Sequence, residues 1–416
     1  MMQALLFSLV LGFGPAEGPG PRPSEADRVD DPRFTLEQAL AAMDEGHPLL
    51  QAGGAEVDAA RARVRSARLW TNPQFDLDYM WGVRATSYDP AGSWIGSIGQ
   101  FIELSGAPQA RGRVARHELG ATRADLDDIR MSLAYDVEVA MIELRARVDE
   151  VAVLDQNIAD FEHGLAIVRA RVEAGVISTY DETRTLLALA QAKAALAQAK
   201  AAALDAREQL ALAAGPLAAR LQGQPDIELD VARPLPPLDG LRDAQVQRPD
   251  LVANRAIADA ASAKVDLARR EVMPGIGLRV LAGFGQGPGQ VDFGFGVSVP
   301  LPVVQRGQAA IPEAQATARA AHARSSAAQI AAEQQLELAH QRAELLRDRS
   351  QAFAVTQPLA ERLKAQAELA YTDGQIEIIG LMDAYLAVRD QGLREIVLAL
   401  DAHLAEVQLR RLAGAR

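Results

Sequence analysis

The sequence predicts a mainly α, internally duplicated chain in which long coiled-coil helices carry four β-strands, two in each repeat. Three observations predict it. Two stretches of the chain align at a nearly constant offset, which marks a duplication. Four segments alternate apolar and polar residues over strand length, each following or preceding a helical pattern. Sixty residues from Arg113 to Val172 contain no strong breaker except Gly120 and Gly164, and at about 1.5 Å per residue they make a helix of roughly 90 Å, too long for a compact domain.

The duplication is punctuated alike in both halves. An offset of 201 aligns Pro48 with Pro249, Leu50 with Leu251, Val64 with Val265, Arg68 with Arg269 and Pro73 with Pro274. Further on, an offset of 199 pairs Gly175 with Gly374, Ile177 with Ile376, Leu187 with Leu386 and Gly215 with Gly414. The change of two places an indel in the middle of the repeat, where Gly112 and Gly307 are the expected counterparts. The first repeat spans 34–215 and the second 240–414, joined by a Pro-rich linker at 216–239.

Each repeat reads helix, strand, strand, long helix, turn, helix. Thr35 with Gln38 three residues on is a capping-box start, and the Ala-rich helix that follows breaks near Gly46 to Pro48 and stops at Asn72-Pro73. Phe75, Leu77, Tyr79 and Trp81 alternate with Gln74, Asp76, Asp78 and Met80, a strand with one greasy and one wet face. Its partner around Trp94 to Leu104 is less regular. In the second repeat Ile276, Leu278 and Val280 alternate, and Val291, Phe293, Phe295, Val297, Val299 and Leu301 alternate against Asp292, Gly294, Gly296 and Ser298. Each strand has the roughly 9 to 11 residues that cross a bilayer when tilted. Val151, Leu154, Ile158, Phe161, Leu165, Val168 and Val172 recur at the 3.5-residue period of a coiled-coil seam. Leu386, Leu393, Leu400 and Val407 repeat every seven residues in the second half, with Val397 and Leu404 between them.

Composition excludes several functions. Lys+Arg 43 against Asp+Glu 55 leaves a net charge of −12, so the basic footprint of a general nucleic-acid binder is missing. Cysteine is absent, which removes disulfides, thiolate metal sites, a cysteine nucleophile and the residue that a lipoprotein acylates. His47, His117, His163, His322, His340 and His403 show no ligand spacing. The run from Gly283 to Gly289 lacks a following Lys-Ser/Thr and reads as a hairpin loop, not a phosphate cradle. No nucleophile elbow occurs, so no enzyme and no cofactor is expected. An apolar run from Ala4 to Phe13, followed by Gly14, Pro15 and Ala16, resembles the h-region and exit of a secretory signal over residues 1–18, though no Lys or Arg precedes it; a disordered apolar N-terminus is the alternative. No apolar run reaches the roughly 18 residues of a spanning helix.

Four strands cannot close a barrel alone, because even the smallest membrane barrels have about 8, so several chains must share one. The first and third helices of a repeat together match the long one and stack end to end beside it. With these elements in place, the chain resembles the TolC-like outer-membrane efflux proteins, in particular the heavy-metal exporter branch, over nearly its whole length. Tyr371-Thr372-Asp373-Gly374, then Ile376, Leu381, Met382, Asp383 and Ala384, is similar to the family's Y-x-x-G and L-x-D-A spacing at the periplasmic tip. Gly175-Val176-Ile177-Ser178 is the first-repeat equivalent. The resemblance implies a homotrimer with a 12-stranded barrel in outer-membrane lipid, a periplasmic tunnel of 12 helices, and docking onto a periplasmic adaptor of an inner-membrane RND-type pump. It implies an export duct, with heavy-metal cations as a family-level cargo. A coiled-coil scaffold without a channel is the competing expectation.

The candidate residues each carry a plainer alternative. Asp383 matches an aspartate that lines the closed tunnel mouth in the family, where three copies would form an anionic ring; Gly380 stands where a second such aspartate occurs, and Asp181 is the acid the other repeat supplies. An ordinary solvated acid at a helix end is the other reading. Tyr79, Trp81 and Trp94 suit an interfacial aromatic girdle, or cap a water-soluble sheet. Gly175, Val176, Ile177, Ser178, Gly374, Gln375 and Ile376 form the expected adaptor-docking tips, with Val176, Ile177 and Ile376 exposed; alternatively they only pack the turns.

Overall fold

The computed structural model describes residues 32–82, 91–229, 231, 234–284 and 291–414. The signal-like segment at 1–18 and the loop glycines from Gly285 to Gly289 lie outside the described residues. The first repeat begins with a two-residue strand β1 (Arg33–Phe34) and the helices α1 (Leu36–Gly46) and α2 (Pro48–Ser66). Thr35 caps α1: its hydroxyl accepts from the Gln38 N–H at 3.3 Å while the Gln38 side chain takes the Thr35 N–H at 3.0 Å. His47 separates the two helices, with Pro48 filling a position whose N–H has no helical partner. The helix ends at Ser66, ahead of Asn72-Pro73, where Arg111 takes the Ala67 carbonyl at 3.4 Å.

Strands β2 (Gln74–Gly82) and β3 (Ala91–Ile102) lead to α3 (Ala107–Glu173), a single helix of 67 residues, and then to α4 (Thr179–Ala214). The helix starts at Ala107 instead of Arg113 because Gly106 turns the chain with φ 72° and Pro108 sits in its first turn. A 3₁₀ turn (Pro216–Arg220) and strand β4 (Gln224–Pro225), parallel to β1, fill the linker. The second repeat has α5 (Leu238–Gln245), α6 (Pro249–Glu271), β5 (Ile276–Phe284), β6 (Val291–Ser298), α7 (Ala310–Ala354), α8 (Gln357–Thr372) and α9 (Ile378–Ala413).

The matched glycines explain the offset. Gly106 and Gly307 precede the long helices with φ 72° and 77°, and Gly175 and Gly374 end them with φ 71° and 74°, the left-handed region that glycine enters without a Cβ clash. The counterpart of Gly307 is therefore Gly106, not Gly112, and the offset of 201 persists to the start of the long helix. The two missing residues fall within the second long helix, which is broken at Val355–Thr356 where the first runs unbroken. Pro358 has no N–H to continue the ladder, and the Thr356 hydroxyl donates to the Phe353 carbonyl at 2.7 Å.

The sheet order is β2-β3-β5-β6, antiparallel throughout, so β3–β5 pairing joins the two repeats. The helices continue this order: α3 packs on α2 and α4 on one side and on α6 and α9 on the other, and α7 packs on α6 and α9. The seam residues Leu154, Ile158, Phe161, Leu165 and Val168 are buried. Gly164 lets the helices close there, since a Cβ would stand 2.9 Å from Tyr385. Of the seven-residue row in α9, Val407 is buried and Leu386, Leu393 and Leu400 are half-buried, with Val397 exposed between them, while Leu381, Leu398 and Leu409 fill the interior.

Candidate functional site

Two regions carry chemistry that a self-contained domain would not show. The first is the sheet. Antiparallel pairing puts residues that face each other across strands on the same side, so the register defines the two faces. Phe75, Ile98, Val280 and Phe295 form one row across all four strands, and Leu77, Gly96, Ala282 and Phe293 form the next. Gln100, Leu278 and Val297 continue the face below, and Tyr79 with Trp94 above. Phe293 is 79% exposed and Phe295 86%, on a contiguous apolar patch far larger than single surface hydrophobes. The opposite face is mixed: Asp76, Asp78, Ser93, Ser97, Gly99, Arg279, Asp292, Gly294, Gly296 and Ser298 share it with Met80, Ile95, Phe101 and Leu281. The Tyr79 and Trp94 rings meet at 4.7 Å, which places this pair on the apolar face at the end away from the helices. Trp81 pairs with Gly92 two positions beyond, and its side chain lies outside the described residues.

The sheet is also incomplete at both sides. Among the described residues β2 pairs with β3 alone and β6 with β5 alone, so each outer strand has one side with no strand beside it. In hydrocarbon each backbone group left unpaired costs several kcal/mol. α2 and α7, which follow the edge strands in the lateral order, pack in that row on α3 and on α6.

The second region is the tip opposite the sheet, where the two repeats make the same turn. After α3, the Val176 N–H bonds the Arg171 carbonyl at 3.0 Å and the Gly175 N–H the Val172 carbonyl at 2.9 Å; after α8, Gln375 bonds Ala370 at 2.8 Å and Gly374 bonds Tyr371 at 3.0 Å. Both are Schellman closures that use a left-handed glycine. The turns are tied together: the Arg171 guanidinium lies 4.8 Å over the Tyr371 ring and donates to the Tyr371 carbonyl. Burial pushes the Tyr371 phenol above its ordinary pKa, with Asp181 adding to the rise and Arg171 opposing it.

The structure corrects one expectation here. Ile177 and Ile376 are half-buried and pack against the cluster of Phe161, Leu165, Tyr371 and Leu381, because each turn folds its isoleucine back onto the coiled-coil seam. Val176, at 62% exposed, is the outward apolar residue of the first turn, and Tyr180 at 65% stands beside it. Gly175, Ser178, Gly374 and Gln375 are exposed. Asp383 and Gly380 are exposed on α9, and Asp181 is half-buried in the first turn of α4.

Sequence reasoning missed a buried polar network behind the tip. Lys364 pairs with Asp160 at 2.6 Å, Gln156 donates to the same carboxylate at 3.0 Å, and the Tyr385 hydroxyl donates to Glu368 at 3.1 Å. Burial and then the Glu368 charge push the Tyr385 phenol far above its ordinary pKa. The only trace in the sequence is that Asn157 and Asp160 interleave with the seam residues Ile158 and Phe161. Nearer the middle of α3, Asp128 is raised by burial and by Asp250. Burial is the largest single influence on Asp250 and raises it, but the two-pronged Arg248 hydrogen bond, at 2.6 and 2.7 Å, the Arg248 charge and hydrogen bonds from backbone N–H groups together outweigh it and hold this carboxyl below its usual range. Among the described residues no group of three or more His, Asp or Glu side chains is placed to hold a metal ion.

The described residues thus form a four-stranded antiparallel sheet with one largely apolar face and two outer strands paired on one side, continued by a layer of long helices. The chain belongs to the outer membrane efflux protein family, whose sequence model matches residues 39–216 and 240–415. It is similar to the nickel-cobalt-cadmium resistance protein NccC of Alcaligenes xylosoxydans xylosoxydans, 26% identical over 292 residues, covering 70% of this chain but 64% of that protein, just under two thirds. It is also similar to the cobalt-zinc-cadmium resistance protein CzcC of Cupriavidus metallidurans, 25% identical across 92% of this chain and 90% of that one. The fold is that of solved outer-membrane channels such as CusC, with a TM-score of 0.77, 15% identity, and 92% of each chain covered. The family is one of efflux channels, and the resemblance read from Tyr371 to Ala384 led to the right family.

Proposed function

We propose that three copies of this chain close a 12-stranded barrel in the outer membrane and a helical tunnel beneath it, forming the exit duct of a tripartite pump. The observation that carries this reading is the four-stranded sheet with one face apolar but for Gln100 and with outer strands each paired on one side only among the described residues. Two copies would supply about 8 strands, whose interior side chains fill; three is the smallest number that leaves a lumen. The mixed face then lines the lumen, and there Asp76, Asp78 and Asp292 outnumber Arg279 among the described residues. Such a wall favours cations, in keeping with the metal resistance named for NccC and CzcC, so we take heavy-metal cations as the cargo class.

Tyr79, Trp81 and Trp94 sit at the headgroup level of this barrel. The tips carrying Gly175, Val176, Ser178, Gly374 and Gln375 meet the periplasmic adaptor, which links the duct to an RND-type inner-membrane pump. Asp383, Asp181 and the Gly380 segment of three chains line the tunnel mouth. The duct itself is passive. Native mass measurement in detergent tests the assembly: the account requires a species of three 44.5 kDa chains, less any cleaved leader. A stable monomer or dimer that inserts into bilayers would overturn it. Cells lacking the chain should become more sensitive to nickel, cobalt, zinc or cadmium, and unchanged sensitivity to all four would reject the cargo class.

A further inference from the structure

The end of the helical layer nearest the sheet holds two arginines that the duct reading leaves without a role. Arg68 lies two residues past the end of α2 and Arg116 in the third turn of α3, and both are exposed. They converge on Gly112. The Arg116 Nε donates to the Gly112 carbonyl at 3.1 Å, and the Arg68 stem lies across the bare glycine, where a Cβ would stand 2.7 Å from its Cγ and 2.9 Å from its Nε. Neighbouring Arg61, Arg111 and Arg113 pair with Asp58, Glu103 and Asp266, whereas Arg68 and Arg116 make no ion pair among the described residues. Arg63 and Arg65 in the last turn of α2 add two more exposed positive charges. Two guanidinia drawn to one position without a side chain, with the local acids engaged elsewhere, make a cradle for an anion.

The surroundings select the anion. Leu69 and Trp70, next to Arg68, are exposed, and Gln100, the one polar residue of the apolar face, donates to the Thr71 carbonyl at 2.8 Å. That bond ties the segment from Leu69 to Thr71 to the face read as meeting acyl chains. Gly112 is five residues into α3, about 8 Å along its axis, and the headgroup zone is roughly 5 to 8 Å deep on each side of a bilayer. The cradle therefore stands at headgroup depth, on the α3 side of α2 and away from the flank that a second copy would meet. We propose that Arg68, Arg116 and the bare Gly112 bind the headgroup phosphate of an anionic phospholipid from the leaflet that borders the helices, with Leu69 and Trp70 against its acyl chains. The proposal rests on the lipid-facing reading of the sheet. The second repeat lacks the site: at the offset of 201 Arg269 matches Arg68, but Glu313 replaces Gly112 and Thr317 replaces Arg116.

The test titrates the detergent-solubilised assembly with phosphatidylglycerol, with phosphatidylcholine and with glycerol phosphate as a soluble anion, and reads bound lipid by native mass spectrometry. Phosphatidylglycerol should be retained in preference to phosphatidylcholine, and glycerol phosphate should not displace it. Arg68→Gln combined with Arg116→Gln should weaken phosphatidylglycerol binding by about tenfold or more, because each guanidinium lost removes a charge-assisted hydrogen bond, whereas Arg269→Gln should leave it unchanged. Equal retention of the two lipids, displacement by the soluble anion, or full retention by the double variant each overturns the proposal, and the first two are read on the unaltered protein. Protein that enters bilayers and conducts while giving any of these results leaves the duct reading in place; protein that never enters a bilayer overturns both.

Discussion

Val280→Arg puts the lipid-facing assignment under the sharpest strain. Val280 is 65% exposed in the single chain and lies in the row Phe75–Ile98–Val280–Phe295, in the middle strands of the sheet and midway along β5. If this row meets acyl chains, an arginine there costs about 2–4 kcal/mol near the bilayer midplane, which is roughly a 30- to 700-fold loss in the folded-to-unfolded ratio at about 1.4 kcal/mol per decade. Three copies would suffer it in one assembly. Leu281→Arg is the matched control: it is the next residue along the same strand, at the same depth and on the opposite face, opposite Gly294. Folding equilibria of both variants, followed by urea titration in liposomes or micelles, should show the large loss for Val280→Arg and a smaller one for Leu281→Arg. Equal losses, or the reverse order, would refute the assignment of the faces.

Further outcomes follow from the tip and the middle of the bundle. Val176→Asp combined with Tyr180→Asp should abolish export and adaptor capture while assembly and insertion persist; normal export would reject docking at the first turn. Ile177→Asp should instead lower the melting temperature, because its side chain is held against the tip cluster, and an unchanged melting temperature would contradict that packing. Asp383→Asn should weaken cation preference in planar bilayers, whereas an unaltered reversal potential would remove Asp383 from the mouth. The Asp128 carboxyl is raised above its unfolded value of about 3.9, so its ionisation costs stability as pH rises through that range. Asp128→Asn should therefore raise the melting temperature at pH 7 and converge with the parent in acid. Asp250 is depressed, and the stability it contributes above its unfolded pKa is lost as pH falls through the folded one. Asp250→Asn should accordingly lower the melting temperature at pH 7 and lose its effect in acid.

Much of this architecture is written in local chemistry. The Thr35–Gln38 capping box, the alternation from Phe75 to Tyr79 and from Val291 to Val297, and the seam from Leu154 to Val168 each depend on residues a few positions apart, so they are legible without a fold. What was hidden depends on contacts between distant segments. Gly112 looked like the partner of Gly307, but the backbone conformation that identifies Gly106 cannot be read from residue type alone. The break at Val355–Thr356 carries only Pro358 as a signal within a helix of otherwise strong formers. Ile177 and Ile376 were expected to point outward because a turn is usually exposed; the Schellman closure folds them inward. Lys364 and Asp160 are 204 residues apart, and no periodicity links them.

Single-channel recording from the purified protein in a planar bilayer tests the duct most directly. The account predicts long-lived ohmic openings carried by the trimer, with a reversal potential that shows cation preference in a salt gradient. Protein that inserts fully folded yet never conducts, or conducts as a monomer, would contradict it.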